Sequence, residues 1–317
     1  MAEEFAARET RADPLLDPLY KRLGRNPVAL KELRSRMRGG RAFLLITVYL
    51  IILSALVGLV YFGFAAASSS YMAPEIRQNM GKSIFGVVVL MELFLVMFIS
   101  PGLTAGAISS EREQQTFDLL RTTLLPARSL VLGKLLAALS FIFLLLLAAV
   151  PLQSFAFLFG GVAIEEFLIA NFLLVITALA YTALGLFFSS LLKRTLAATI
   201  LAYGAAILVV FGLPFLVYSG VILASVLLSN MSQIPPIWEM LAVIIVWLFI
   251  SLNPLATALV TELILIEEQS AIYATLPLST NVNFPILSPW ISYSLFYFLF
   301  SLLLILLSIR LVKRVEV

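Results

Sequence analysis

The stretch Leu135-Leu136-Ala137-Ala138-Leu139-Ser140-Phe141-Ile142-Phe143-Leu144-Leu145-Leu146-Leu147-Ala148-Ala149-Val150-Pro151-Leu152-Gln153-Ser154-Phe155-Ala156-Phe157-Leu158-Phe159 carries no charge. As an α-helix rising about 1.5 Å per residue it would be roughly 37 Å long, enough to cross a hydrocarbon core about 30 Å thick. Lipid offers no partner to backbone N–H and C=O groups, so such a run must close its own hydrogen bonds as a helix. On the same ruler five more runs qualify as spans: Phe43–Ala66, Ser83–Ala107, Phe167–Leu192, Thr195–Tyr218 and Ile291–Leu311. The outer segment 219–290 is also apolar, but Asn230–Pro236 and Asn253-Pro254 break it, and its compact run Met240–Leu252 is short for a crossing. It reads as a re-entrant or interfacial hairpin before the last span, with two extra spans as the alternative.

Composition supports this reading. Of 317 residues, 62% are apolar and 12% charged, against about 45–50% and about 25% in soluble domains. The mean hydropathy is +1.06. More apolar surface is present than one water-soluble core could bury, so the expected class is an all-α polytopic membrane protein. Cysteine and histidine are absent, which excludes disulfides, thiolate chemistry, Cys/His metal sites and histidine-dependent catalysis. The first twenty residues hold Glu3, Glu4, Glu9, Asp13 and Asp17 and no apolar block, so no cleavable leader is expected.

Charge fixes an expected orientation. Ten basic residues fall in 1–42, two after the first span (Arg77, Lys82), and four between Arg112 and Lys134. Lys193 and Arg194 follow the fourth span, and Arg310, Lys313 and Arg314 close the chain. Rich and poor segments thus alternate as six crossings require, and basic residues resist translocation. Both termini are expected in the cytoplasm: a tail at 1–25, an approach segment at 26–42, a transmembrane domain at 43–311 with a cytoplasmic loop at 108–134, and a short end at 312–317. Between residues 195 and 309 there is no Lys or Arg, while Trp238 and Trp290 stand where an aromatic belt would lie.

The approach to the first span reads Asn26-Pro27-Val28-Ala29-Leu30-Lys31-Glu32-Leu33-Arg34-Ser35-Arg36-Met37-Arg38. Asparagine caps and proline opens a helix. Leu30, Leu33 and Met37 share one face, and Lys31, Arg34, Arg38 and Arg41 repeat the spacing beside it. Such a helix lies in the interface with its basic side chains toward anionic head groups, either as an anchor or as an elbow that moves. The loop after the second span reads Ile108-Ser109-Ser110-Glu111-Arg112-Glu113-Gln114-Gln115-Thr116-Phe117-Asp118-Leu119-Leu120-Arg121-Thr122-Thr123-Leu124-Leu125-Pro126. Phe117, Leu120 and Leu124 fall at helical spacing, and Pro126 ends the pattern. The apolar side of that short helix suits the membrane surface or a groove on a cytoplasmic partner equally.

Glu111-Arg112-Glu113, then Thr116-Phe117-Asp118-Leu119-Leu120, then Leu132-Gly133-Lys134 together resemble the permease subunits of ABC-2 type exporters. The Asn26-Pro27…Lys31-Glu32-Leu33-Arg34 opening and Asn253-Pro254-Leu255 are similar to the same family, so the likeness runs from about residue 26 to the end. One departure is Gln115, where the family often has glycine. The resemblance implies six spans, a cytoplasmic coupling helix carrying Glu111, Arg112, Glu113, Thr116, Phe117, Asp118, Leu120 and Leu124, and a location in the bacterial inner membrane. It further implies a second permease chain, identical or paired, and two separate ATP-binding subunits that hold ATP and Mg. The chain itself is expected to bind no cofactor, to hydrolyse no ATP and to contact lipid rather than nucleic acid. Its one Gly-Lys-Ser run, Gly81-Lys82-Ser83, has Ile76 where a phosphate loop needs its first glycine.

Within the second span Glu92 stands alone among apolar residues, where an ionisable group costs a few kcal/mol unless it faces protein or water. It reads as a translocation-path carboxylate or as an interhelical hydrogen bond to a neighbour such as Gln153. Pro101-Gly102 near the end of that span reads as a hinge or a fixed bend. Glu165-Glu166 suits a solvated turn. Asn230-Met231-Ser232 matches a glycosylation tripeptide, a pattern frequent by chance. Two further classes stay open at this level: a secondary carrier working through Glu92, and a membrane protein that docks a partner without transport. Repeats and several intramembrane charges would mark a carrier, and neither is visible.

Overall fold

Apolar runs long enough to span a bilayer become helices because each can satisfy its backbone internally. The computed structural model describes residues 31–33, 40–67, 74–116, 126–228, 236–268, 271–277 and 283–314. In chain order the helices are α1 (Gly40–Ala67), α2 (Pro74–Thr104), a short α3 (Ser109–Glu113), α4 (Ala127–Phe159), α5 (Ile164–Leu191) and α6 (Thr195–Ile207). A π-helical turn, Leu208–Gly212, joins α6 to α7 (Leu213–Leu228), followed by α8 (Pro236–Leu252) and α9 (Pro254–Glu268). Strands β1 (Tyr273–Pro277) and β2 (Asn283–Leu287) precede α10 (Pro289–Arg314).

Six of these stretches are long and apolar enough to cross a membrane. The protein is therefore an all-α polytopic membrane protein. The helices outrun the apolar runs that mark them: α4 begins at Ala127 rather than Leu135, and α1 at Gly40 rather than Phe43. The apolar ruler measures hydrocarbon, whereas helical hydrogen bonding continues into the interface. The end of the bundle at which α1 starts is called proximal below, and the other end distal.

The core is built by α2, α4 and α5 with one face of α1: Leu53, Ile84, Val88, Leu93, Leu145 and Leu174 are almost wholly buried there. Glycines set the closest approaches. A Cβ at Gly185 would lie 2.9 Å from the Pro101 Cα, and one at Gly81 would lie 2.1 Å from the Gly160 carbonyl oxygen. The α2–α5 crossing and the distal α4–α5 turn therefore leave no room for a side chain. α10 runs parallel to α5, since Trp290 packs on Phe172, the Tyr293 hydroxyl meets Thr177 Oγ1 at 2.7 Å, and Tyr297 stacks on Tyr181.

The segment between the fifth and last spans forms two short apolar helices with a sharp break, the geometry of a broken span or of a re-entrant loop. Its helices α8 and α9, of 17 and 15 residues, turn by 114° at Asn253. At roughly 25 and 22 Å neither crosses about 30 Å of hydrocarbon. The tip at Asn253 meets the middle of the fifth span, while Trp247 Nε1 donates to the Leu287 carbonyl on the distal side. Each helix by itself is shorter than the other spans. A two-stranded antiparallel hairpin, unforeseen from the sequence, follows α9 with Ala274 opposite Ile286 and both facing inward. Five-residue strands holding Pro277 and Pro285 gave too short a periodic signal, and proline survives there because both strands are edges.

Candidate functional site

At the proximal end three segments far apart in sequence converge on one ammonium. Lys134 lies in the first two turns of α4, and its side chain is 3% exposed. Its Nζ donates to Glu111 Oε1 at 2.6 Å, to the Ala107 carbonyl at 2.8 Å and to Glu32 Oε1 at 3.3 Å. Three acceptors match the three N–H bonds of an ammonium. A cation this buried is tolerable only when paired and fully hydrogen-bonded. The node ties the helical piece at 31–33 to the loop after α2 and to the start of α4.

The same loop is fastened on its other side to the α5–α6 junction. Ser189 Oγ accepts from the backbone N–H groups of Ile108 and Ser109 at 2.8 and 3.0 Å. Arg112 Nη1 donates to the Ser190 carbonyl at 2.8 Å. Glu113 Oε2 accepts from both the hydroxyl and the backbone N–H of Thr195, the first residue of α6. Glu111, Arg112 and Glu113 thus point to three different neighbours: α4, the end of α5 and the start of α6.

α3 ends in a tight reversal. Gln115 N donates to the Arg112 carbonyl at 3.2 Å and Thr116 N to the Glu111 carbonyl at 2.9 Å, the paired bonds of a Schellman cap. That cap needs a left-handed residue, and Gln115 supplies it with φ 58°. The position where the resemblance led one to expect glycine is therefore the position that glycine would suit best. Thr116 is exposed, its hydroxyl donating to the Glu111 carbonyl. Phe117, Asp118, Leu120 and Leu124 lie outside the described residues, as do Arg34 and Arg38. Lys31 is described and exposed, and Arg41 falls within α1 rather than before it.

Inside the bilayer, Glu92 is fully buried and Gln153 Nε2 donates to its Oε2 at 2.7 Å. Asn171 Nδ2 donates in turn to Gln153 Oε1 at 3.0 Å, so one polar chain links α2, α4 and α5. Glu92 Oε1 and the Tyr49 hydroxyl are buried without hydrogen-bond partners. The carboxyl is packed within protein. Pro101 sits within α2 against the Gly185 backbone, while Thr104 Oγ1 donates to the Thr182 carbonyl at 3.0 Å. Gly102 faces the Tyr203 hydroxyl. The pair is clamped between α5 and α6.

Asn253 holds the tip of the hairpin. Pro214 has no N–H to offer the Val210 carbonyl, and the π turn loosens the ladder there. Asn253 Nδ2 donates to the Val209 and Val210 carbonyls at 2.9 and 3.0 Å, while its Oδ1 accepts from Ala256 N at 3.0 Å and caps α9. Tyr297 donates its hydroxyl to the Leu252 carbonyl at 2.6 Å.

The sequence singles out Glu111, Arg112 and Glu113 and offers Lys134 and Glu32 within longer stretches without a role for either, while Ser189 and Thr195 carry no signal of their own. A lone lysine facing an apolar helix was the available signal for Lys134. Among the described residues no group of three acidic, histidine or cysteine side chains could hold a metal ion. Comparison with protein families matches residues 26–311 to the family described as ABC-2 family transporter protein. Comparison with curated proteins finds no match.

Proposed function

This chain belongs to the ABC-2 family of transporter proteins and is a permease component of an ABC transporter, and we propose that it exports its cargo using ATP hydrolysed by separate subunits. The permease is the part of such a transporter that does not carry the ATPase. Two ATP-binding subunits, carrying ATP and Mg, would dock on the proximal side, which is then the cytoplasmic side of the inner membrane. Both termini would lie there. A second permease chain would cover part of the apolar flank left by the first and fifth spans, whose apolar windows are only 11% and 17% buried against 56% for the fourth.

The observation that carries the reading is the fastening of the 107–116 loop. Its root grips α4 through Lys134, α5 through Ser189 and Ser190, and α6 through Thr195. A push on the segment after Thr116 by a closing ATPase pair would reach α2, α4, α5 and α6 together. It would also reach the elbow segment through Glu32. The test is co-expression and co-purification with a candidate ATP-binding subunit. The double variant Phe117→Asp/Leu120→Asp is expected to stay folded and to lose its ATPase. Intact association of that variant would overturn the assignment of 116–124 as the coupling helix. A secondary carrier built on Glu92 would instead transport in a membrane preparation free of ATP.

A further inference from the structure

In the distal half, α2, α5 and α9 enclose a narrow cavity of about 60 Å³ with an open mouth, below the roughly 300–1,000 Å³ of drug-sized sites and suited to a small head group only. Its walls are apolar, formed by Phe85, Val89, Ile169, Leu173, Leu259 and Leu265. Two polar groups on α9 interrupt them. Thr261 is 3% exposed and its Oγ1 has no hydrogen-bond partner; Glu262 has a buried Oε1 that likewise has none. The nearby charges are already engaged with each other. Glu166, in the first turn of α5, accepts from Ala163 N at 3.2 Å and faces Lys82 Nζ at 4.0 Å. Lys82 acts electrostatically on Glu262 as well, and two acidic groups against one lysine give the mouth a negative balance.

We propose that this pocket binds an amphiphilic ammonium compound. The cationic head enters the cavity and sits on Glu262, with Thr261 Oγ1 accepting a second N–H, and the alkyl part stays outside the open mouth. Unpartnered polar atoms in an apolar wall are costly, and an N–H donor bearing positive charge relieves both at once. An anionic amphiphile of the same shape meets Glu166 and Glu262 and is rejected. The mouth lies at the first turn of α5, at interfacial depth, so a molecule resting in the distal leaflet presents its head at the right level. The head chemistry is shared by free alkylamines and by aminophospholipids.

The test uses the permease alone, without ATP or ATPase, so its outcome is separate from that of the exporter reading. Equilibrium binding of radiolabelled dodecylammonium is measured in phosphatidylglycerol nanodiscs and corrected with empty discs. Saturable binding is expected, undisturbed by an equal concentration of dodecanol. Glu262→Gln should weaken it at least about tenfold, or roughly 1.4 kcal/mol. Gly86→Leu should abolish it, because Gly86 lines the pocket and a Cβ there meets nothing within 4 Å. If Gly86→Leu fails to fold, Glu262→Gln and Thr261→Val carry the test. Displacement by added phosphatidylethanolamine identifies a lipid head group as the source, and its absence identifies a free amine. Non-saturable uptake, or equal affinity of wild type and Glu262→Gln, overturns the proposal.

Discussion

Replacing Lys134 with methionine keeps the aliphatic stem and removes three N–H donors. The charge-assisted bond to Glu111 at 2.6 Å is the strongest of them, in a class contributing about 1.5–3 kcal/mol. Glu111 and Glu32 are 22% and 26% exposed and would recover water, so about 2 kcal/mol is a fair value for the first and about 0–1 kcal/mol for the second. The Ala107 carbonyl loses its 2.8 Å donor, adding about 1 kcal/mol. The sum, about 3 to 4 kcal/mol, sits at the lower end of the roughly 3–5 kcal/mol for breaking a buried pair from one side. Thermal unfolding of wild type, Lys134→Met, Glu111→Gln and the double variant would measure it by size-exclusion of the surviving fraction. The double variant should be less damaged than the two singles added together by at least about 1 kcal/mol, because each single removes the same bond. Additivity within about 0.5 kcal/mol, or a Lys134→Met protein as stable as wild type, would refute the node as described.

Three further outcomes follow from named contacts. Gln115→Gly should stabilise the protein by about 0.5–1 kcal/mol, since a non-glycine residue at φ 58° pays for its left-handed backbone; a fall in unfolding temperature would contradict that cap. Asn253→Leu should cost about 2–4 kcal/mol by uncapping α9 and stranding the Val209 and Val210 carbonyls, visible as faster hydrogen exchange at Ala256, and unchanged exchange would argue against it. Glu92→Gln keeps an acceptor for Gln153 and should unfold close to wild type, whereas Glu92→Leu leaves Gln153 Nε2 unpaired and costs about 1–3 kcal/mol. Loss of transport in a folded Glu92→Gln protein would show that the carboxyl moves protons or cargo rather than bracing helices.

The sequence alone determined the membrane class, six helices long and apolar enough to span, and the place of the break at Asn253. Each rests on a local property: an uncharged run measured against a bilayer, as at Leu135–Phe159, or a helix-breaking pair such as Asn253-Pro254. Glu111-Arg112-Glu113 could likewise be singled out, because a charged patch between two apolar runs is visible without knowing its neighbours. Tertiary structure alone decided what those residues do. Lys134 reaches Glu32 across 102 positions and Arg112 reaches Ser190 across 78, and no periodicity encodes such pairs. Their meeting depends on α2 and α5 crossing at Gly185 and Pro101, where backbones touch without a side chain between them. The π turn under Asn253 and the unpartnered groups at Thr261 and Glu262 have the same origin. A polar atom's fate in a membrane bundle is set by which helix packs opposite it, and that is a property of the folded assembly rather than of any run of residues.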